Sequence, residues 1–536
     1  MRYVILIIIV LCCSTFGTLA QTLSLMPLPY DIKQGTGSYI LTSATKIVLK
    51  TDSIEVKKSC DFFLDLINPS TGMNIGYASS SATPIIVELD SLISHPEGYR
   101  LKVTEREITI QAQTPAGVFY AFQTLRQLLP PFIESRTMVV RKWTIPVIEI
   151  NDVPRFQYRG LMLDVVRHFF PVDDIKRFID LMAMHKYNYL HLHLTDDQGW
   201  RIEIPAYPKL QTVSAWRKET IVGHLNDEPR QYDGIRYGGF YTQVELKELE
   251  QYAAERYITI VPEINVPGHI TALLAAYPEL GCTGNIIEVA RDWGIFPNLL
   301  CPREDTFLFL ERIFTNVMNI FPGKYIHIGG DECPKEQWQK NEFCRNTKIQ
   351  NGLRTDEQLQ TWFMRRVAKF IQSHGRQVIG WDEMLDGGDI SDAAIMSWRG
   401  EQGGIDATRK GNNVIMTPHR SCYFDYYQWN RRDEEPLAQS GYLSLGMVYQ
   451  YEPVPKELTD IEKQYIIGTQ GNLWTEYIPN IRQAEYMVYP RACALAEVAW
   501  TPADKKSFGQ FRNRLIEHSK RLEIMNINYA RHFLVR

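Results

Sequence analysis

Past its first twenty residues the sequence has no uninterrupted apolar run near the roughly 20 residues that a membrane-spanning helix needs, so no membrane span is expected beyond the N-terminal segment. It also lacks a surplus of positive charge. Its 58 Lys and Arg face 62 Asp and Glu, a formal net charge of -4. Without a basic field there is nothing to attract a phosphate backbone or an anionic membrane surface, which argues against nucleic acid as a partner. Aromatic residues, by contrast, are plentiful: 12% of the chain, with 11 Trp and 28 Tyr. Aromatic faces stack well on the apolar faces of sugar rings. With 45% hydrophobic and 22% charged residues in 536, the chain has the composition of an ordinary globular protein, long enough for one large domain and a smaller one.

The N-terminus reads as an export signal. Arg2 precedes an apolar run from Tyr3 to Leu11, and a polar stretch ends in Thr18-Leu19-Ala20, the small-residue pattern of a cleavage site after Ala20. A secreted or periplasmic location is the expectation. Cys12 and Cys13 lack the preceding small residue that lipoprotein processing prefers. Seven cysteines remain beyond the signal, an odd number, so at least one stays free or pairs between chains. Cys282 with Cys301 is the first candidate pair and Cys333 with Cys344 the second, with a buried free thiol as the alternative for each.

From Gln21 to about Asp152, short alternating runs such as Ile85–Leu89 and Tyr99–Val103 read as strands. A helix is expected from Pro115 to Leu129, stopped by Pro130-Pro131. This is a small α/β domain with no cluster of acids, His or Cys that suggests chemistry. From residue 153 to about 502, apolar strands alternate with amphipathic helices. Strand ends are expected near Leu163, Leu194, Ile264, Ile328, Gly380, Ser397, Met416 and Thr469. Eight such units predict a parallel (β/α)8 barrel, a TIM barrel. Thr242 and Glu245 form a capping box before one helix. Residues 503–536 add a C-terminal helix, Phe508 to about Met525, packed on the barrel.

Catalytic groups of such a barrel sit at the carboxyl ends of its strands, and polar and aromatic residues gather there. Arg167 follows the first strand, Asp196-Asp197 the second, and Glu263 and His269 flank the end of the third. Asp331-Glu332 follow the fourth, Trp381 and Trp398 end the fifth and sixth, Tyr423 and Asp425 follow the seventh, and Trp474 and Glu476 the eighth.

Glycoside hydrolysis needs a proton donor at the leaving oxygen and a group that stabilises positive charge at the anomeric carbon. Asp331 and Glu332 supply two carboxyls behind a Gly-Gly pair. Alone, an Asp-Glu pair is as readily a helix N-terminus, where the dipole favours acids. Adjacent residues on a regular strand point to opposite faces. The two could therefore straddle a sugar as nucleophile and acid only at a distorted strand end, which favours a substrate that supplies its own nucleophile.

Seven ordered motifs resemble the β-N-acetylhexosaminidases of glycoside hydrolase family 20: Arg159–His168, His191–Asp197, Pro267-Gly268-His269, His327–Glu332, Gly380–Glu383, Ser397–Gly400 and Leu473–Glu476. The N-terminal domain also resembles the one preceding the barrel in that family. The resemblance implies substrate-assisted hydrolysis of terminal N-acetylhexosamine from a glycan or glycoconjugate, with no cofactor and no metal. By it, Glu332 is the general acid and base, Asp331 orients the 2-acetamido group and Tyr423 holds its oxygen. Trp381, Trp398 and Trp474 wall the pocket, and Arg167, Asp425 and Glu476 bind the non-reducing-end hydroxyls. Asp196 and His269 support the acid. Asn265 stands where the family commonly has Asp, which puts the support around His269 in question.

Two rivals differ in class. His191-x-His193 with His269 and His327 could serve a metal-dependent amidohydrolase, although Leu192 and Leu194 beside them favour core histidines. A non-catalytic sugar-binding protein would keep the tryptophans and have no use for a proton donor.

Overall fold

The computed structural model describes residues 23–534, so the expected signal segment lies outside the described residues. Residues 31–152 form a seven-stranded mixed sheet in the order β1 (Asp31–Leu41), β7 (Trp143–Asp152), β5 (Tyr99–Val103), β6 (Ile108–Ala112), β4 (Pro84–Leu89), β2 (Lys46–Leu49), β3 (Gly76–Tyr77). Along β5 the alternation is literal: Tyr99, Leu101 and Val103 are buried while Arg100 and Lys102 face solvent. Helix α1 (Ile54–Thr71) starts on the Ser53 hydroxyl and ends at the left-handed Gly72. Helix α2 (Pro115–Leu128) is buried around its whole circumference from Gly117 onward. It has no solvent face because it lies between its own sheet, α1 and the second domain, to which Gln127 Nε2 donates at the Met184 carbonyl, 3.0 Å.

The second domain is a closed parallel barrel. Its strands are β8 (Tyr158–Asp164), β9 (Tyr189–His193), β10 (Thr259–Glu263), β11 (Tyr325–His327), β12 (Gln377–Trp381), β13 (Ala394–Ser397), β14 (Asn413–Met416) and β15 (Ile466–Leu473). Strand β15 closes the ring on β8, with Gly468 opposite Tyr158 and Leu473 opposite Leu163. It runs four residues beyond the expected end at Thr469. Gln470 and Asn472 lie past that expected end, and both point into the barrel, where Gln470 bonds Tyr158, His191 and Asn472. At one end the interior is aromatic, with Tyr158 stacked on Tyr189 at 4.2 Å.

Around the barrel run α3 (Val172–Met184), α4 (Gln243–Ala254), α5 (Glu304–Ile320), α6 (Glu336–Lys340), α7 (Glu342–Gln350), α8 (Asp356–Ser373) and α9 (Arg491–Trp500), followed by α10 (Phe508–Ile524). Both bonds of the Thr242–Glu245 capping box form at the start of α4. Helix α10 does more than pack on the barrel. Arg514 pairs with Glu497 of α9 at 2.7 Å, and Arg521 pairs with Glu134 of the small domain at 3.1 Å. A second seam passes through Asp152, which accepts from Tyr30 N, Tyr99 Oη, Lys186 Nζ and Trp500 Nε1 at 2.6–2.8 Å. No helix among the described residues is long and apolar enough to cross a membrane. Cys333 does not meet Cys344: its thiol donates to the Asp331 carbonyl, while Cys344 sits with Cys282 and Cys301.

Glu134 is the anchor of the α10 seam. Burial opposes its charge, but Arg126 at 2.6 Å and Arg521 outweigh it and hold the carboxyl below its usual range. Glu134→Ala leaves both guanidiniums buried without their carboxylate, an expected loss of about 3–5 kcal/mol. Urea denaturation reads it; an unchanged midpoint would contradict the assignment of the seam to this residue.

Candidate active site

The Asp331-Glu332 pair does not continue a strand. Strand β11 stops at His327, and Gly329, Gly330 and Glu332 then take φ values of 68°, 100° and 46°. A Cβ on Gly329 would sit 1.9 Å from Asn265 Oδ1, so only glycine fits. This bend brings both carboxyls to one cavity. The expectation that neighbouring residues face opposite ways thus fails here, and with it the strand-geometry case against a nucleophile and acid pair.

The two acids sit in different surroundings. The Asp331 side chain is 10% exposed and the Glu332 side chain 34%. Asn265 Nδ2 donates to Asp331 Oδ1 at 2.8 Å. Burial still dominates, raising Asp331 to about 6 despite the neighbouring His269 and the Asn265 bond. Asn265 therefore serves Asp331 and not His269. Support for His269 comes from Asp197 at 2.9 Å and Asp196 at 3.2 Å, both on Nδ1, while Nε2 faces Glu332 at 3.4 Å and Asp331 at 3.6 Å. Burial opposes a charge on this imidazole, but Asp196, Asp197 and Asp331 push it well above its usual range.

Asp196 lies behind the cavity and does not line it. It takes Arg167 Nη2 at 2.8 Å and His193 Nε2 at 2.9 Å, so its position suits orienting and not contacting a ligand. Arg167 is held further by Gln198 at 2.9 Å and Asp164 at 3.2 Å, and its guanidinium lies 5.2 Å from the Trp474 ring.

The cavity measures about 250 Å³, below the roughly 300–1,000 Å³ of drug-sized pockets and suited to one monosaccharide. Its aromatic end combines Trp381, 6.0 Å from Trp474, with Trp398 and Tyr423 stacked at 6.1 Å. Trp398 is fixed by its Nε1–H bond to Glu383 at 2.8 Å. At the other end Asp425 is buried and Glu476 partly so, and both are raised above their usual range, chiefly by burial. Asp425 Oδ1 and Glu476 Oε2 are buried without a hydrogen-bond partner. Among the eleven sequence candidates, all except Asp196 line this space: Glu332, Asp331, Tyr423, Arg167, His269, Trp381, Trp398, Asp425, Trp474 and Glu476.

Residues 156–503 match the description "Glycosyl hydrolase family 20, catalytic domain", and residues 22–153 match "Glycosyl hydrolase family 20, domain 2". The chain belongs to glycoside hydrolase family 20. It is 40% identical over 513 residues to a β-hexosaminidase of Porphyromonas gingivalis, covering 95% of this chain and 64% of that longer relative. A β-hexosaminidase of Vibrio furnissii is 35% identical, with 90% of this chain and 77% of the relative covered. Among solved structures, a β-N-acetylhexosaminidase from Streptomyces coelicolor superposes with a TM-score of 0.84 at 30% identity, covering 96% of this chain and 98% of that one.

Within this family 20 chain, three of the four histidines of the rival metal reading gather around the buried Glu263, with His327 Nε2 left without a partner, whereas His269 lines the cavity. His191 Nε2 and His193 Nδ1 bond the Glu263 carboxylate at 3.0 and 2.5 Å, and His327 lies 3.2 Å from it. Trp381 Nε1 donates to the same carboxylate at 3.0 Å. Both ring nitrogens of His191 and of His193 have protein partners. Burial lowers His191 to about 4, whereas Glu263 and Asp196 overcome burial at His193 and push it up to about 10. Sequence reading left Asp197 without a role and missed Tyr426 and Gln439, which also line the cavity. The neighbouring acid signalled Asp197; Gln439 opens a short strand, Gln439–Tyr442, that pairs with Tyr426–Tyr427 and carries no motif.

The Asn265 bond favours the ionised form of Asp331, so Asn265→Ala should move its ionisation upward from about 6. Carbon-13 titration of the Asp331 carboxyl reads the shift; a lowered midpoint would contradict it.

Proposed function

We propose that this protein is a retaining exo-β-N-acetylhexosaminidase that removes terminal GlcNAc or GalNAc from glycans or glycoconjugates by substrate-assisted catalysis. The observation that carries the reading is the unequal carboxyl pair: a buried Asp331 held by Asn265 beside a more exposed Glu332, both on one sugar-sized cavity. The acid within reach of the mouth suits proton transfer to a leaving oxygen. The buried one suits electrostatic support of a bound group. The family 20 match supports the same assignment.

In this mechanism the acetamido oxygen attacks the anomeric carbon as Glu332 gives its proton to the departing glycosidic oxygen. Asp331 accepts the acetamido N–H and offsets the positive charge that develops as the oxazolinium forms, and the Tyr423 hydroxyl donates to the acetamido oxygen. Water then opens the ring while Glu332 takes its proton, so the anomeric configuration is retained through two inversions. The orphaned acceptors of Asp425 and Glu476, with Arg167, take the non-reducing-end hydroxyls. Their closure of that end supports exo action. Export, resting on residues 1–20, belongs to the same proposal.

Glu332→Gln should retain ligand binding and lower hydrolysis of substrates with poor leaving groups by about 10²–10⁴. Undiminished turnover of a natural disaccharide would sink the assignment. Asp331→Asn should weaken binding of a thiazoline mimic of the intermediate. A substrate with hydroxyl in place of acetamide should not turn over at all, because its nucleophile is gone; measurable hydrolysis of it would point instead to an enzyme nucleophile.

A further inference from the structure

Cys282 and Cys301 bracket the loop that carries Trp293, Gly294 and Ile295 to the mouth of the cavity beside Glu332. Cys344 lies in α7, whose N-terminus is capped by Asn341. The three sulfurs converge. Cys344 Sγ is 3.8 Å from Cys282 Sγ and 3.9 Å from Cys301 Sγ, and all three lie within 4.8 Å of one another. Cys301 and Cys344 are fully buried and Cys282 partly so, packed among Leu299, Trp338 and Leu359.

We propose that Cys282, Cys301 and Cys344 form a three-thiolate site for one soft divalent cation of the Zn²⁺ or Cd²⁺ kind, which pins the mouth loop to the segment following the catalytic pair. The spacing carries the proposal. Three sulfurs each about 2.3 Å from a shared zinc ion stand about 3.8 Å apart in a tetrahedral arrangement and about 4.0 Å apart in a trigonal one. A disulfide needs about 2.05 Å, and any pairing would strand the third thiol in an apolar wall. The frame is built around these positions: Trp338 Nε1 donates to the Leu300 carbonyl at 2.9 Å, Asn341 Nδ2 to the Cys282 carbonyl at 2.8 Å, and Cys301 N to the Leu280 carbonyl at 2.9 Å.

Charge fits as well. Three thiolates and a dication leave one negative charge, and the Arg303 guanidinium lies beside Cys301, its Nη2 on the Gly281 carbonyl at 2.6 Å and its buried Nε without a partner. An all-sulfur donor set selects against Mg²⁺ and Ca²⁺, which require oxygen. On binding, the thiol protons leave to solvent as the metal–sulfur bonds form, and no atom changes oxidation state.

The test uses the full chain, isolated with its thiols kept reduced and titrated with Cd²⁺ and Zn²⁺. One Cd²⁺ per chain should bind, with a sulfur-to-cadmium charge-transfer band in the ultraviolet and protection of these three cysteines from alkylation. Cys344→Ser should weaken binding on the order of a hundredfold, and Cys60→Ser, in the small domain, should not. Should Cys344→Ser fail to fold, Cys282→Ser at the partly exposed position carries the same expectation. Binding well below one ion per chain, or a disulfide between any two of the three in protein trapped at isolation with a thiol-blocking reagent, would overturn the proposal. None of these readouts depends on turnover, so the catalytic assignment stands or falls separately.

Discussion

A carboxylate sealed from water persists only where cations and donors surround it, and Asp196 collects three: Arg167 at 2.8 Å, His193 at 2.9 Å and His269 at 3.2 Å. Each partner leads to a different part of the site. Arg167 reaches the charged end of the cavity, His269 faces the Asp331–Glu332 pair, and His193 descends to Glu263, which fixes Trp381 through its indole nitrogen. Breaking a buried pair costs about 3–5 kcal/mol, against about 0–1 kcal/mol for a surface pair. The orientation of the three groups is therefore enforced by the stability of the barrel.

That enforcement permits local strain. Glu332 and His269 hold φ values of 46° and 50°, left-handed conformations that cost about 1–3 kcal/mol each in a non-glycine residue. His269 stays there because Asp196 and Asp197 grip the same ring nitrogen. Glu332 follows from the turn made by Gly329 and Gly330, packed against Asn265. The consequence is chemical: two sequence neighbours line one cavity, with one nearly closed from solvent and the other near the mouth.

Much of this was legible in the chain. The barrel follows from strand and helix periodicity, and the rim residues follow from their place after strand ends, because both depend on local pattern. What escaped depends on contacts far apart in sequence. Gln470 and Asn472 lie past the expected strand end at Thr469, and what keeps Gln470 in the strand is its bonds to Tyr158 and His191 on the next two strands round the barrel. Asn265 was read as a defect in the surroundings of His269, yet its amide faces Asp331, where a carboxylate would sit against a carboxylate. Of the second candidate pair, Cys333 with Cys344, the free-thiol alternative holds, because the bend at Glu332 turns Cys333 back to the Asp331 carbonyl.

The cavity is unbalanced in what its two ends offer a ligand. At one end Trp381, Trp398, Tyr423 and Trp474 present ring faces; at the other Asp425 Oδ1 and Glu476 Oε2 are acceptors with no donor. A buried acceptor left unpaired costs about 1–3 kcal/mol. A ligand that brings hydroxyls to that end relieves the cost, and one without them leaves it in place, so discrimination arises from the protein's own unmet hydrogen bonds. Under the proposed function, a pyranose with hydroxyls along one edge and an acetamido methyl on another offers each end what it lacks.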